Sequence, residues 1–241
     1  RIWGTMTNYV LIAVPLFIFM GVMFERSGIA EELLETMALL FGRLRGGLAI
    51  SVLIVGVLLG ASTGIVGATV VTMGVLSLPV MLKRGCNPSA SSGIIAASGT
   101  LGQIIPPSIV LILLGSVLNV PIGDLFVGAI VPGLLLSFLY LLWIIFVTIR
   151  KPEIFPAMPE EELLKFKESG RLKKIILAFL LPGILILAVL GSIFLGIASP
   201  TEAAAVGALG SMILAAFRKQ LNWINLKQVM KQTTTITSMV F

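Results

Sequence analysis

The sequence contains no histidine and a single cysteine, Cys86, among its 241 residues. One cysteine cannot form a disulfide within the chain, and without histidine there is no Ser–His nucleophile or histidine-ligated metal site. Charged residues make up 12% of the chain, whereas soluble domains carry about 25%. Hydrophobic residues make up 57%. These features predict an integral membrane protein with several spans and no enzymatic activity.

Charge is also absent from two long stretches, residues 46–82 and 85–123. A proton relay normally needs an intramembrane carboxylate or histidine, so proton coupling has no candidate residues in these stretches. The net charge of +6 comes from basic residues grouped in islands between apolar segments. Such islands are typical of cytoplasmic loops, and we expect no nucleic acid as a partner.

The first uncharged stretch is interrupted by Gly60-Ala61-Ser62-Thr63-Gly64. Its first arm, Gly47 to Gly60, has 14 residues and would reach about 21 Å, less than the roughly 30 Å of a bilayer core. We therefore predict a re-entrant hairpin over 46–82. If the chain turns back there, all 17 basic residues except Arg1 fall on one side, as the positive-inside rule favours. Two full crossings would give the same distribution, so that alternative stays open.

A second interruption lies in the apolar segment 89–118, where residues 98–108 read SGTLGQIIPPS. Two glycines and the Pro106-Pro107 pair are incompatible with a straight helix. This predicts a discontinuous span. Broken helices at membrane depth line cavities and bind ions and substrates in secondary transporters.

The residues of the two interruptions are the candidate site. Unwound carbonyls and nearby hydroxyls suit a sodium ion, and exposed amides at helix starts suit an anion. The predicted sodium ligands, mostly through backbone carbonyls, are Ser62, Thr63, Ser98, Gly99, Thr100 and Ile105. The predicted substrate contacts are Ala61, Ser62, Thr63, Gln103, Pro107 and Ser108. The structural alternative is that small residues serve helix packing and hydroxyls bond to their own backbone.

Five strings resemble the large membrane subunit of TRAP transporters (tripartite ATP-independent periplasmic transporters, DctM-type). They are GASTGIVGAT at 60–69, SLPVMLKRG at 77–85, AASGTLGQIIPPS at 96–108, FVGAIVPGLLL at 126–136 and ASPTEAAAVGA at 198–208. The resemblance covers essentially the whole chain. Two departures are the tip, where a more Ser-rich turn is expected, and Cys86, where an aromatic residue is expected.

The resemblance implies a multi-pass protein of the bacterial inner membrane, in a sodium-driven secondary transporter that imports small organic acids. Its implied partners are a small membrane subunit, a soluble periplasmic binding protein and the lipid bilayer. The implied coupling ion is Na⁺, and no cofactor is implied. The implied fold is an all-α inverted-repeat transporter of the elevator type. The second hairpin and broken helix are expected beyond Phe241, because both ends of the chain look cut from something longer.

We accordingly expect four parts. Residues 1–45 form a scaffold span and an interfacial amphipathic helix. Residues 46–118 form half of a transport domain, with the hairpin at 46–82 and the broken helix at 89–118. Residues 119–174 form a span and a cytoplasmic connector, and 175–241 a span and the start of the second repeat. Alternative functions are an ion channel or passive pore, a permease for a neutral or aromatic substrate and, least favoured, a membrane enzyme.

Overall fold

The computed structural model describes residues 8–63, 66–158 and 172–241, and these are helical with no β-strand. In chain order the helices are α1 (Ala13–Arg26), α2 (Ile29–Leu40), α3 (Gly47–Thr63), α4 (Val66–Lys83), α5 (Pro88–Thr100), α6 (Ile109–Leu118), α7 (Ile122–Arg150), α8 (Leu172–Phe194), α9 (Pro200–Phe217) and α10 (Trp223–Val240). Short 3₁₀ turns precede α1 (Tyr9–Ile12) and follow α5 (Leu101–Gln103). The predicted all-α architecture is confirmed.

Three helical segments of the described part are long and apolar enough to cross a membrane: Tyr9–Arg26, Ile122–Arg150 and Pro200–Phe217. The longest, α7, has 29 residues and would extend about 44 Å, more than a bilayer core. Its apolar side chains, such as Leu135, Phe138 and Trp143, are largely exposed. A helix that is apolar all round and uncovered by its own chain is typical of a membrane span.

Helix α1 lies at the centre of the hydrophobic core. It packs against α9, α10 and α3, and its side chains Phe17, Ile18 and Phe24 are almost completely buried. Helices α1 and α9 approach closely at Gly207, where an added Cβ would lie 2.6 Å from the sulfur of Met20. Pro15 lies in the first turn of α1, after the 3₁₀ turn, where a proline costs the helix little.

Helices α3 and α4 pack against each other, and α5 packs against both. Helix α3 continues through Thr63, so the prediction that the chain turns at residues 60–64 begins the turn too early. Glycine is tolerated inside a helix at a cost of about 1 kcal/mol relative to alanine, and a packed helix offsets such a cost. With 17 residues, the first arm reaches about 26 Å rather than 21 Å. Residues 64 and 65 lie outside the described residues.

The C-terminal part begins with α8, and residues 159–171 of the predicted cytoplasmic connector lie outside the described part. Helix α9 begins with a capping box: the Glu202 amide donates to the Ser199 hydroxyl (3.3 Å) and the Ser199 amide donates to the Glu202 carboxylate (2.7 Å). Most residues of 219–231 are exposed. Asn222 caps α10, accepting from the Asn225 amide at 2.7 Å, so the helix starts at Trp223.

Cys86 follows α4 and is buried rather than exposed in its loop. Burial raises the pKa of its thiol above the ordinary value, although the positive charge of Arg84 acts in the opposite direction. Because the thiolate is the reactive form, we expect a water-soluble maleimide to label native Cys86 at pH 7 roughly tenfold more slowly than the denatured protein. The native rate should keep rising with pH above the range where ordinary thiols ionise. Equal rates in the native and denatured protein would contradict this environment.

Candidate functional site

The break in the second apolar segment is present and lies between α5 and α6. Helix α5 ends at Thr100, the 3₁₀ turn takes the chain to Gln103, and α6 begins at Ile109. The intervening residues include the Pro106–Pro107 pair, joined by a cis peptide bond. Neither proline has an N–H to continue a helix. The predicted break is therefore present, although Ser98, Gly99 and Thr100 belong to the last turn of α5 rather than to the unwound segment.

Several backbone carbonyls of this segment have no hydrogen-bond partner among the described residues. The carbonyl of Leu101 accepts from the amides of Ile104 and Ile105. Within the part of the chain that the structure describes, no hydrogen bond is donated to the carbonyls of Ile105, Pro106 or Pro107. Both prolines are buried, and buried carbonyls are normally paired. This cluster of acceptors can therefore receive a cation or a donor supplied from outside the chain.

The hydroxyls of Ser98 and Thr100, two of the predicted ligands, donate to backbone carbonyls. Ser98 donates to Ile95 (3.1 Å) and Thr100 donates to Ala97 (2.7 Å), each within α5. Ser98 is buried and Thr100 is exposed. A hydroxyl that donates in this way keeps its lone pairs, so it can still accept or coordinate.

Ser108 organises the return to helix. Its hydroxyl donates to the carbonyl of Gln103 (2.6 Å) and accepts from the amide of Leu111 (3.4 Å). The side chain is fully buried. It is thus the N-cap of α6 and also ties that helix to the preceding turn.

The end of α3 lies beside this break, as the pairing of the two interruptions predicted. A Cβ placed on Gly60 would lie 2.5 Å from the Cα of Gly102, so the two backbones touch. One turn earlier, a Cβ on Gly56 would lie 2.6 Å from the Cβ of Ser98. Helix α3 thus presents two glycines at i, i+4 spacing, and they meet Ser98 at the end of α5 and Gly102 in the 3₁₀ turn that follows it. Small residues at this spacing let membrane segments approach closely. We call these four residues the small-residue seam.

The seam places the tip residues of α3 near the unwound segment. Ala61 is buried, and the backbone of Ser62 and Thr63 is helical. The side chains of Ser62 and Thr63 lie outside the described part. The roles predicted for Ala61, Ser62 and Thr63 stay predictions, but the predicted unwinding of Ser62 and Thr63 is wrong.

Gln103 lies on a large cavity that the sequence did not indicate. The cavity has a volume of about 830 Å³ and lies between the start of α4, α6 and α10. Gln103 is exposed to it, together with Arg26 and Lys231. The sequence placed both cations in loop islands. The missed signal is the repeat Gln228, Lys231, Gln232, Thr235, whose i, i+3, i+4, i+7 spacing puts them on one face of a helix.

Comparison with known proteins identifies the family. The family model described as "Tripartite ATP-independent periplasmic transporter, DctM component" matches residues 1–241. The chain belongs to this family. The similarity expected from the five strings is therefore confirmed, and a DctM-family chain is a transporter component rather than an enzyme.

Curated relatives agree with the DctM assignment. The chain is 36% identical to the C4-dicarboxylate TRAP transporter large permease protein DctM of Pseudomonas aeruginosa, over 90% of this chain and 49% of that protein. It is 34% identical to the ectoine TRAP transporter large permease protein TeaC of Halomonas elongata, over 96% of this chain and 52% of that protein. It is 30% identical to the sialic acid TRAP transporter large permease protein SiaM of Vibrio cholerae, over 98% of this chain and 54% of that protein.

The DctM chain spans about half the length of these curated relatives. As a member of this family with several apolar helices, it is a multi-pass protein of the bacterial inner membrane. That confirms the localisation implied by the resemblance.

Proposed function

We propose that the full-length protein is the large permease component of a secondary transporter that imports small organic acids, driven by sodium and dependent on a periplasmic binding protein. A small membrane subunit and that binding protein are its proposed partners. The observation that carries the proposal is the group of unpaired carbonyls at Ile105, Pro106 and Pro107, beside the end of α3. Such oxygen-rich unwound segments are where secondary transporters hold coupling ions and substrate.

The relatives support the substrate class. The names of three of them mention C4-dicarboxylate, ectoine and sialic acid, all of which carry at least one carboxylate. In our proposal the sodium ion is held by the residues predicted above, mostly through backbone carbonyls and otherwise through hydroxyls: Ser62, Thr63, Ser98, Gly99, Thr100 and Ile105. The substrate carboxylate contacts Ala61, Ser62, Thr63, Gln103, Pro107 and Ser108.

We further propose that residues 46–118 move as one body against the rest of the protein, as half of an elevator-type transport domain. The packing of α5 against both α3 and α4 supports this division, because close-packed interfaces move together rather than deform. A second, inverted half would complete the site. In this division, 1–45 and 119–174 are the scaffold and connector, and 175–241 begins the second half.

The decisive experiment reconstitutes the full-length protein with its small subunit and binding protein in proteoliposomes. Uptake of labelled succinate, sialic acid and ectoine would be measured with and without an inward sodium gradient. We expect uptake of one of these acids to require both sodium and the binding protein. Uptake independent of sodium would reject the ion site, and conduction without the binding protein would favour a pore.

Thr100→Val tests the ion ligands. If the Thr100 hydroxyl coordinates sodium, losing an oxygen ligand worth about 1 kcal/mol should raise the sodium concentration for half-maximal uptake roughly fivefold. Thr234→Val is the matched control, because the Thr234 hydroxyl also donates to a carbonyl of its own helix, that of Met230 at 2.9 Å. An unchanged sodium requirement in Thr100→Val would remove this hydroxyl from the ion site and leave only carbonyls there.

A further inference from the structure

The cavity between α4, α6 and α10 has walls of two kinds. Its apolar wall includes Val66 at the start of α4 and Ile109 and Val110 at the start of α6. Its polar wall is the face of α10 that carries Gln228, Lys231, Gln232 and Thr235. Gln103, from the unwound segment, connects the two. The volume of about 830 Å³ lies within the range of small-molecule sites in proteins, roughly 300 to 1,000 Å³.

Arg26, the last residue of α1, is held over the polar wall. Its Nη1 donates to the side-chain oxygen of Gln228 (2.7 Å) and its Nη2 donates to that of Gln232 (3.3 Å). Both acceptors are neutral amides, so they orient the guanidinium without compensating its charge. Arginine held in a fixed orientation presents a planar fork that matches a carboxylate.

The positive charge of this cavity is not neutralised within the described residues. No carboxylate there lies within ion-pair distance of Arg26 or Lys231; the ion pair that the structure shows joins Arg218 to Glu32 instead. The neighbouring Glu25 does not line the cavity, and its carboxylate accepts a hydrogen bond from the Thr72 hydroxyl on α4. Two uncompensated cations in a partly apolar cavity create a field that concentrates anions.

We propose that this cavity is an anion-binding vestibule in which Arg26 and Lys231 bind the carboxylate of an organic anion, next to the transport site at Gln103. The inference rests on the proposed function, because an organic acid is the anion it would receive. The cations belong to islands that the charge distribution assigns to the cytoplasmic side. The vestibule would therefore hold the anion between the unwound segment and the cytoplasm.

The electrostatic potential of the cavity can be measured independently of transport activity. In the full-length protein with its small subunit, Thr235 is replaced by cysteine, and Cys86 and any cysteine outside this chain by serine. The rates of modification by an anionic (sulfonatoethyl) and a cationic (trimethylammonioethyl) methanethiosulfonate are then compared. Removing both cations with Arg26→Gln and Lys231→Gln should lower the anionic-to-cationic rate ratio roughly tenfold, as expected for two charges within about one Debye length.

Two variants control the charge measurement. Lys227→Gln removes a cation from the same helix that does not line the cavity and should leave the ratio within a factor of about two, because exposed charges are screened. Arg26→Lys with Lys231→Arg keeps both charges and should retain the parent ratio. If all variants give the same ratio, or if the parent does not favour the anionic reagent relative to free cysteine, the proposal is overturned.

Binding is tested by protection in the same protein. Succinate should slow the modification of Thr235→Cys in the parent, and this protection should be lost in the Arg26→Gln, Lys231→Gln variant. Protection that survives removal of both cations would overturn the proposal. Uptake by proteoliposomes is measured separately, so a charged, succinate-protected cavity in a protein that shows no sodium-driven uptake would reject the transport proposal and not the vestibule.

Discussion

The Gly102→Ala variant is expected to unfold at a lower temperature than the parent and to lose uptake. A Cβ at this position would collide with the Cα, carbonyl carbon and oxygen of Gly60. These are backbone atoms, so no side-chain rotation relieves the collision. Overpacking costs about 1–3 kcal/mol where side chains can adjust, and we expect the upper end of this range or more.

The measurement is thermal unfolding of the detergent-solubilised full-length protein, followed by the loss of its monodisperse size-exclusion peak. Gly74→Ala on α4 is the control, because a Cβ there meets nothing within 4 Å. That variant should be as stable as the parent or slightly more stable, since alanine favours helix by about 1 kcal/mol over glycine. Equal stability of Gly102→Ala and Gly74→Ala would show that α3 and the 3₁₀ turn are not in contact.

Ser108→Ala is expected to have the second largest effect. The substitution removes the N-cap of α6, which typically contributes about 1 kcal/mol. It also leaves the carbonyl of Gln103 without the donor it has at 2.6 Å in a partly buried hydrogen bond, and the loss of such a bond costs about 1 kcal/mol. We therefore expect a lower unfolding temperature together with a lower uptake rate.

Two variants separate a positioning role from a substrate contact. Ser137→Ala removes a hydroxyl that donates to the carbonyl of Gly133 within α7 (2.8 Å), and it should have little effect. Ser108→Thr keeps the hydroxyl and should restore most of the stability. If Ser108→Ala raises the substrate concentration for half-maximal uptake but leaves the unfolding temperature unchanged, Ser108 acts on the substrate and its capping role is negligible.

The two interruptions differ in how far the sequence predicts them. The break after α5 was predictable because Pro106 and Pro107 remove consecutive amide donors, and no tertiary contact can restore them. The turn after α3 was placed too early. Residues 60–63 are small and compatible with helix or turn, and their packing against the segment around Gly102, far away in sequence, favours the helix.

The cations of the cavity were missed for a different reason. Arg26 and Lys231 were counted with the basic islands, where a positive charge indicates topology and nothing else. Their proximity depends on the packing of α1 against α10, which no local pattern indicates. The polar face of α10 is visible in the sequence, but the residues that it faces are not. The same holds for the small-residue seam. The sequence shows Gly56 and Gly60 and, separately, Ser98 and Gly102, but it does not show that the first two contact the second two.

The small-residue seam has a consequence for genetics. Where Gly207 meets Met20, an enlarged residue on α9 can be compensated by a shorter side chain on α1, so second-site suppressors are available. Where Gly60 meets Gly102, both partners already have the smallest side chain that exists, and no substitution at either position makes room for the other. Neither glycine has a local suppressor, so a revertant must restore the glycine itself or shift a whole helix.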